Sequence, residues 1–201
     1  VTRPEGDTVE ALNAYLAEIA QSIDEETRYD ITLAPGRYEG TIVLPKDFGV
    51  SGGMFGEVNL IGSSSRTVLE SVDLNGGVLF LQGVDFVSGG QESALYNGFA
   101  HAQRCSFTGY EIALDATAST IAASFCVFAG NGTAFRLKLE QGFMSSSSSS
   151  WAYNTFIDNG TAMQFISFND IVTPYFFRIR ESNFIDNDTD FDLQCPATLY
   201  F

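Results

Sequence analysis

A short phrase recurs along this 201-residue chain and limits how the chain can fold. Asn154–Phe165 reads NTFIDNGTAMQF, and Ser182–Leu193 reads SNFIDNDTDFDL, 28 residues later. Alignment on the Phe of this phrase gives five copies, spaced 21, 21, 28 and 28 residues apart: Phe86, Phe107, Phe128, Phe156 and Phe184. A repeat of this length indicates a stack of similar units, because one such unit cannot bury its apolar face alone.

The residues around each anchor Phe have the alternation of short β-strands. The slots five and seven residues before the anchor and nine residues after it are mostly apolar or small, and polar residues separate them. Copies stacked at the strand spacing of ~4.8 Å bury a continuous core. The Leu spacing of a leucine-rich repeat is missing. The sequence therefore predicts an all-β solenoid with two or three strands in each coil.

The residues that follow the anchors predict the corners of the coils. Three residues after the anchor come Gly89, Asn131, Asn159 and Asn187, with Tyr110 as the exception. Asn and Gly tolerate a left-handed backbone, so we expect them to turn the chain at these positions. Stacked Asn side chains also predict hydrogen bonds that run along the solenoid axis.

The two ends of the chain differ from the repeats. Asp7 or Thr8 precedes a stretch with apolar residues at helical spacing, which predicts a helix over residues 8–24 that caps the open first coil. Residues 29–75 are assigned to the first coils and 76–193 to the five repeats, all within one domain spanning 1–201. The C-terminal end, 194–201, has no obvious cap. A short lid, further domains of a longer native chain, or a partner would each cover it.

Charge and composition exclude several classes of function. A formal net charge of −15 argues against binding nucleic acid, and against a simple electrostatic grip on an acidic polysaccharide unless Ca²⁺ mediates it. No apolar run approaches the ~20 residues of a membrane span. Three cysteines do not form a disulfide framework. Cys105 and Cys126 share one inward slot in consecutive copies, and we expect buried thiols there rather than a disulfide.

Two segments carry a resemblance to a known group of proteins. ITLAPGRYEGTIVLP and VNLIGSSSRTVLES resemble the opening coils of the pectin-lyase-like superfamily, and the F-x-x-N phrases resemble its parallel β-helix repeats. Over residues 8–193 the resemblance implies a right-handed single-stranded parallel β-helix. It does not imply one function, because that superfamily includes lyases, hydrolases, esterases, viral tail proteins and non-catalytic surface proteins. Together with the acidic composition it favours an extracellular or cell-surface protein of bacterial type.

The catalytic motifs of that superfamily are mostly absent. Polygalacturonase-type hydrolases carry NTD, paired-Asp, GHG and RIK motifs, and this chain has only RIR at Arg178–Arg180. His101 stands in FAHAQ, without flanking glycines. Nothing marks the pair of carboxylates that glycosidic cleavage requires. The alternative interpretation of Arg178 and Arg180 is a surface role beside an inward Ile179.

The resemblance to pectate lyases implies Asp ligands for Ca²⁺ and an Arg or Lys base. Asp158 and Asp186 share the slot two residues after the anchor, so they should stack on adjacent coils, with Asp188 close by. Carboxylates at ~4.8 Å repel one another unless a cation lies between them. These three aspartates are candidate Ca²⁺ ligands, and Asp158 or Asp186 with Arg178 or Arg180 is a candidate catalytic set. The competing interpretation is that Asp is a common turn residue.

Aromatic residues outside the inward register suggest a binding surface. Phe80, Tyr110, Phe125 and Tyr153 lie there, and the last two share the slot three residues before the anchor. Stacked aromatic faces on a solenoid flank bind sugar rings by apolar contact, unless loops of the longer coils cover them. The serine run Ser145–Ser150 is expected to be half strand and half loop.

The sequence thus favours an extracellular or cell-surface β-helix module without its own catalytic residues, which binds glycan or serves as a rigid spacer. The alternative is a polysaccharide lyase or glycoside hydrolase acting on a cell-wall or plant polysaccharide. A third hypothesis is a fragment of an oligomeric tail or adhesin with a long apolar flank between subunits.

Overall fold

The computed structural model describes residues 8–22, 28–46, 48–51, 54–63, 66–117, 120–139, 151–167, 175–195 and 197–201. Within these ranges the chain forms one helix and 22 strands. All strand pairs are parallel except one short hairpin, and the strands wind around an axis. The predicted all-β solenoid is confirmed, and its course is that of a right-handed parallel β-helix. The serine run Ser145–Ser150 lies outside the described residues.

Two large sheets form the walls of the solenoid. The eight-stranded sheet contains β1 (Arg28–Thr32), β5 (Glu57–Ile61), β7 (Val78–Gln82), β10 (Phe99–Gln103), β13 (Ile121–Ser124), β16 (Trp151–Ala152), β19 (Tyr175–Arg180) and β22 (Ala197–Tyr200). The twelve-stranded sheet contains β2 (Gly36–Val43), β6 (Thr67–Asp73), β8 (Asp85–Val87), β9 (Ser93–Tyr96), β11 (Ser106–Thr108), β12 (Ile112–Thr117), β14 (Val127–Ala129), β15 (Thr133–Leu139), β17 (Thr155–Ile157), β18 (Thr161–Ser167), β20 (Asn183–Ile185) and β21 (Thr189–Gln194). β3 (Val50–Ser51) and β4 (Met54–Phe55) form the antiparallel hairpin.

The helix α1 covers Val9–Ile19, shorter than the predicted 8–24, of which residues 23–24 are not described. Thr8 is the N-cap, as one of the two predicted candidates, and its Oγ1 accepts a hydrogen bond from the Ala11 N–H at 3.2 Å. The buried side of α1 joins the solenoid core through Leu12 and Leu16, which are fully buried. The helix therefore covers the first coil as the sequence predicts.

The anchor Phe residues form a single column inside the solenoid. Parallel pairing places Phe86, Phe107, Phe128, Phe156 and Phe184 directly above one another. Neighbouring rings in this column stack with centroids 4.9 Å apart and planes within 10° of parallel. This confirms the five-copy alignment, because stacked core residues at strand spacing are what the repeat required.

The Asn residues after the anchors have a different role from the one predicted. They form the expected ladder: Asn131 Nδ2 donates to Asn159 Oδ1 at 2.9 Å, and Asn159 Nδ2 donates to Asn187 Oδ1 at 2.9 Å. The left-handed backbone, however, lies one residue earlier, at Asp158 (φ 54°) and Asp186 (φ 51°). The prediction that Asn turns the corner was therefore wrong by one position, because the buried Asn is needed to hydrogen-bond the corner from inside.

A second column of polar contacts follows the residues two before the anchors. The Cys126 N–H donates to Asn154 Oδ1 at 3.0 Å, and Asn154 Nδ2 donates to the Ala123 carbonyl at 2.9 Å. Cys105 and Cys126 are buried in the same column as free thiols, as predicted. The Cys105 N–H lies 3.5 Å from Cys126 Sγ, so the sulfur takes the place of the Asn oxygen in this coil.

Candidate functional site

The corner between the two sheets carries a column of exposed residues, here called the corner column. It consists of one residue from each of five successive coils: Gly83, Arg104, Phe125, Tyr153 and Glu181. Each comes directly after the last residue of a strand in the eight-stranded sheet. Pairing of the preceding residues and hydrogen bonds from the column's own N–H groups fix this order. The column forms an ordered row on the surface because the repeat places equivalent residues at strand spacing.

Phe125 and Tyr153 form a stacked and exposed aromatic pair within the corner column. Their ring centroids are 4.7 Å apart and their planes differ by 11°. Phe125 is 49% exposed and Tyr153 is 47% exposed. Tyr153 also donates from its hydroxyl to Glu181 Oε1 at 3.3 Å. The exposure predicted for these two residues is confirmed, while their part in binding stays a prediction.

The backbone of the corner column is in the left-handed region in every coil. The φ values are 53° at Arg104, 56° at Phe125 and 60° at Tyr153, and only the first coil uses Gly. Bulky side chains rarely adopt this conformation, and the cost is about 1–2 kcal/mol for each residue. Backbone strain of this kind concentrates at functional sites. The retention of side chains here, where Gly would fit best, favours a role for the side chains themselves.

The outer face of the neighbouring sheet is free of carboxylates over five strands. Strands β7, β10, β13, β16 and β19 contain no Asp or Glu, although the chain has 25 acidic residues. We call the outward residues of these strands the acid-free face. It adjoins the corner column, because each column residue follows the last residue of one of these strands. A ligand with negative charge meets no carboxylate from these five strands.

Unpaired cations border the aromatic pair. Nine Arg and Lys residues are described, and five of them form ion pairs: Arg28, Arg37, Arg66, Arg136 and Lys138. Of the other four described cations, Arg104 is in the corner column, and Arg178 and Arg180 are exposed on β19. The fourth is Lys46. Guanidinium groups that no carboxylate of the described chain neutralises are available for an anionic ligand.

His101 and Ser124 contribute polar groups to the acid-free face. His101 Nε2 and Ser124 Oγ are 3.3 Å apart, and the imidazole meets Phe80 edge to face with centroids 6.4 Å apart. Burial lowers the pKa of His101 below its ordinary value of 6.5, so the ring is neutral at pH 7. Ser124 is buried, so the half-buried His101 ring is the group that offers hydrogen-bonding capacity here, and it adds no charge to the face at that pH.

Tyr110 does not belong to this surface. The sequence predicted an outward position, but Tyr110 is 2% exposed and its hydroxyl donates to the Glu70 carbonyl at 2.6 Å. It occupies the slot of the Asn ladder, where its N–H donates to Asn131 Oδ1 at 3.0 Å. The prediction was wrong because a slot next to a corner faces inward in this fold. Phe80, which was also predicted to lie outside the inward register, is half-buried.

A buried carboxylate near the first coils was not predicted. Glu70 accepts hydrogen bonds from the Gly40 N–H at 2.8 Å, from Gln91 Nε2 at 2.9 Å and from Arg37 Nη2 at 2.5 Å. Burial alone would raise the pKa of Glu70, but these hydrogen bonds outweigh burial and hold the pKa below 4.5. Because the carboxylate already has donors on both oxygens, it stabilises the fold and is not counted with the ligand-binding residues.

The aspartates predicted to bind Ca²⁺ lie at the second corner of the coil. Asp158 and Asp186 follow β17 and β20, and the Asp158 N–H donates to the Ile185 carbonyl at 3.1 Å. Their left-handed backbone is what the turn interpretation requires. Among the described residues there is no group of three or more His, Cys, Asp and Glu side chains placed to hold a metal ion. The Ca²⁺ role of Asp158, Asp186 and Asp188 stays a prediction.

The structure does not bring the candidate catalytic residues together. Arg178 and Arg180 are on β19 of the eight-stranded sheet, whereas Asp186 lies beyond the strand β20 in the twelve-stranded sheet. Within the described part of the chain, no ion pair joins these arginines to Asp158 or Asp186. Arg180 instead pairs with Ala152, the residue before Tyr153, and precedes Glu181 of the corner column.

Sequence reasoning missed Arg104 and Glu181 as members of the site. Both occupy the slot three residues before an anchor, the slot in which Phe125 and Tyr153 were recognised. Extending that one slot through all five copies would have found them. Once the period is known, the positions of exposed side chains can be predicted from the sequence as well as those of buried ones.

Comparisons with known proteins give no family for this chain. No protein-family model matches it, and neither the curated proteins nor the solved structures contain a match. In the described residues no helix is both long enough and apolar enough to span a membrane.

Proposed function

We propose that this protein is a non-catalytic β-helix module that binds a glycan along the corner column. The observation that carries the proposal is the stacked pair of Phe125 and Tyr153, half exposed and held in a strained backbone conformation. The apolar faces of sugar rings pack on such aromatic rings, and the hydroxyl groups of the sugar find partners in Glu181 and Arg104 at the two ends.

The charges around the pair favour an anionic glycan, such as a polymer that contains uronic acids. The net charge of −15 predicts repulsion, but in this region the unpaired Arg104, Arg178 and Arg180 outnumber Glu181, the one carboxylate of the corner column. Guanidinium groups bind carboxylates with two hydrogen bonds each. Attraction of this kind acts over a Debye length of about 8 Å at physiological salt, so the local charges outweigh distant ones.

We further infer that the module works outside the cell or on its surface and belongs to the pectin-lyase-like superfamily. Support for this comes from the ITLAPGRYEGTIVLP segment together with the parallel solenoid. The lyase or hydrolase alternative requires Arg178 or Arg180 to act on the same bond as Asp158 or Asp186. The two sets belong to different sheets of the coil, which favours binding over cleavage.

Titration calorimetry with a soluble polyuronate and with a neutral glucan tests the proposal. In Phe125→Gly and Tyr153→Gly variants the aromatic ring is lost while the left-handed backbone becomes relaxed, so folding is retained. Each aromatic contact contributes about 0.5–1.5 kcal/mol, so loss of both rings should weaken binding roughly tenfold or more. Val127→Ala is the matched control, because Val127 is 43% exposed in the same coil but lies outside the column.

The charge preference has its own variants. Arg178→Gln and Arg180→Gln should weaken binding of the polyuronate and leave binding of the neutral glucan unchanged, whereas Arg104→Gln should weaken binding of both. The difference should shrink as the salt concentration rises. Binding that the ring variants leave intact, or no binding to either polymer, would overturn the proposed function. Release of unsaturated sugar ends from the polyuronate would instead support the lyase alternative.

A further inference from the structure

The side chains of the corner column follow a charge order that is complementary to its own reverse. From coil to coil they are a cation, two aromatic rings and an anion: Arg104, Phe125, Tyr153 and Glu181. All four are exposed. Neighbours in the column are ~4.8 Å apart along the solenoid axis, because they lie at strand spacing. In the reverse direction the order is anion, two rings and cation, so an inverted copy of the column presents the opposite charge at each charged position.

A second copy of the chain in antiparallel orientation matches this column position by position. A twofold axis midway between Phe125 and Tyr153, at a right angle to the solenoid axis, brings Phe125 opposite the partner's Tyr153. The same rotation brings Arg104 opposite the partner's Glu181, because Arg104 and Glu181 each lie one coil beyond the aromatic pair. Such an interface is isologous, since every contact occurs twice.

Charge also favours the antiparallel orientation over a parallel one. In a parallel pair with the two columns in register, Arg104 meets Arg104 and Glu181 meets Glu181, so like charges repel at both ends of the contact. In the antiparallel pair both ends bring a guanidinium to a carboxylate, and a guanidinium can bind a carboxylate with two hydrogen bonds. The carboxylate of Glu181 keeps capacity for such a pair, because its contact with the Tyr153 hydroxyl, at 3.3 Å, uses only Oε1.

The strands on either side of the column let two acidic molecules approach each other here. On one side lies the acid-free face. On the other side the strands β11, β14, β17 and β20 contain no charged residue, and their outer face includes Val127, 43% exposed, and Ile185, 40% exposed. The net charge of −15 repels a second copy as a whole, but at physiological salt charges beyond a Debye length of about 8 Å are largely screened. The local pairing therefore decides where contact forms.

The size of the contact indicates a reversible association. Three coils separate Arg104 from Glu181, so the matched strip is roughly 14 Å long. An interface of this length is at the small end of the range, below about 1,200 Å² in total, where complexes are transient. Its centre consists of aromatic residues flanked by Arg, the residue types that contribute most to binding at such interfaces.

We propose that two copies of this chain associate reversibly, in antiparallel orientation, through the corner column. Phe125 packs against the partner's Tyr153, and Arg104 pairs with the partner's Glu181. The association does not depend on the proposed glycan binding. Because a second copy and a glycan would both cover the aromatic pair, each excludes the other, and the dimer is the form of the protein whose glycan-binding surface is closed.

Sedimentation velocity of the full chain, without glycan, tests the proposal over micromolar to millimolar concentrations. The unmodified chain should show a monomer–dimer equilibrium. Arg104→Glu opposes two carboxylates at each end of the contact, and Glu181→Arg opposes two guanidinium groups, so each should raise the dissociation constant at least tenfold. The matched control is Lys46→Glu, which changes the net charge as much as Arg104→Glu does, at an exposed position outside the column. It should leave the dissociation constant within about twofold of the original.

A mixture of the two charge variants tests the antiparallel pairing itself. When Arg104→Glu and Glu181→Arg are mixed in equal amounts, opposite charges meet at both ends, so a mixed dimer should form about as tightly as the original. Phe125→Gly, which changes no charge, should weaken the dimer at least tenfold. A chain that stays monomeric up to millimolar concentration would overturn the proposal. So would a dimer that tolerates Arg104→Glu or Phe125→Gly, or charge variants that retain their β-sheet circular dichroism but do not associate when mixed.

Discussion

The Asn ladder makes a quantitative prediction for Asn159→Ala. The Asn159 side chain is 1% exposed and takes part in four hydrogen bonds of 2.9 to 3.1 Å, two accepted from Asn131 and one donated each to Phe128 and Asn187. Each contributes a net of about 1 kcal/mol, so the variant should lose about 4 kcal/mol of unfolding free energy. Water cannot replace the lost partners at this depth, which keeps the cost near the full value.

The control is Asn187→Ala, in the same column one coil later. Asn187 is half-buried, so water can hydrogen-bond the partners that its side chain no longer reaches. We therefore expect the variant to lose only about 1–2 kcal/mol of unfolding free energy. Urea unfolding is followed by far-UV circular dichroism and by fluorescence of the single tryptophan, Trp151, because coils that contact only their neighbours can unfold separately. A loss at Asn159 below about 1 kcal/mol, or no larger than that at Asn187, would refute the ladder as a source of stability.

Three further predictions concern other parts of the chain. Arg104→Gly should raise the unfolding free energy by about 1 kcal/mol, because Gly adopts φ 53° without strain. The control Arg178→Gly, within β19, should lower it. Changes of the same sign for the two variants in urea unfolding would contradict this prediction. The pKa of Glu70 is lowered, so its ionised form stabilises the fold above about pH 4.5, and this stability is lost as the pH falls further. Glu70→Gln should be less stable at pH 7 by about 2 kcal/mol, and its melting temperature should depend less on pH between about 3 and 5. Identical pH profiles of the two proteins would contradict this prediction. A thiol reagent should modify Cys195 first and Cys105 and Cys126 only on unfolding, since the latter two are buried; fewer than three thiols in the unfolded chain would instead reveal a disulfide.

The periodic parts of this fold could be predicted from the sequence because their information is local. Each coil repeats the same inward slots, so aligning Phe128 with Phe156 already places the two rings in contact. The aromatic pair was found in the same way, from the shared slot of Phe125 and Tyr153. A period determines which residues are neighbours along the solenoid axis, whatever the exact shape of the coil.

The wrong predictions concern positions for which the repeat period does not show whether a side chain faces inward or outward. Tyr110 shares its slot with Asn131, and the spacing alone did not show that the slot faces inward toward the Glu70 carbonyl. Glu70 accepts a hydrogen bond from the N–H of Gly40, which lies in the irregular pairing between Tyr38 and Thr41, and this irregularity lies outside the five copies. Arg178 and Arg180 were considered only as catalytic candidates or surface residues, and Arg104 was not considered, because the spacing did not show that they lie on neighbouring strands and corners.

In the corner column, the distance between two residues along the solenoid axis depends only on the number of coils between them. Arg104 and Glu181 are three coils apart, which at ~4.8 Å for each coil separates their backbones by roughly 14 Å. Inserting or deleting one whole coil between them would shift that separation by one step, while each residue kept the same corner conformation and the same inward neighbours. The separation between residues of the corner column is therefore set in steps of one strand spacing. Under the proposed glycan-binding function, a chain with one more coil in the column would contact a stretch of the ligand that is longer by one such step.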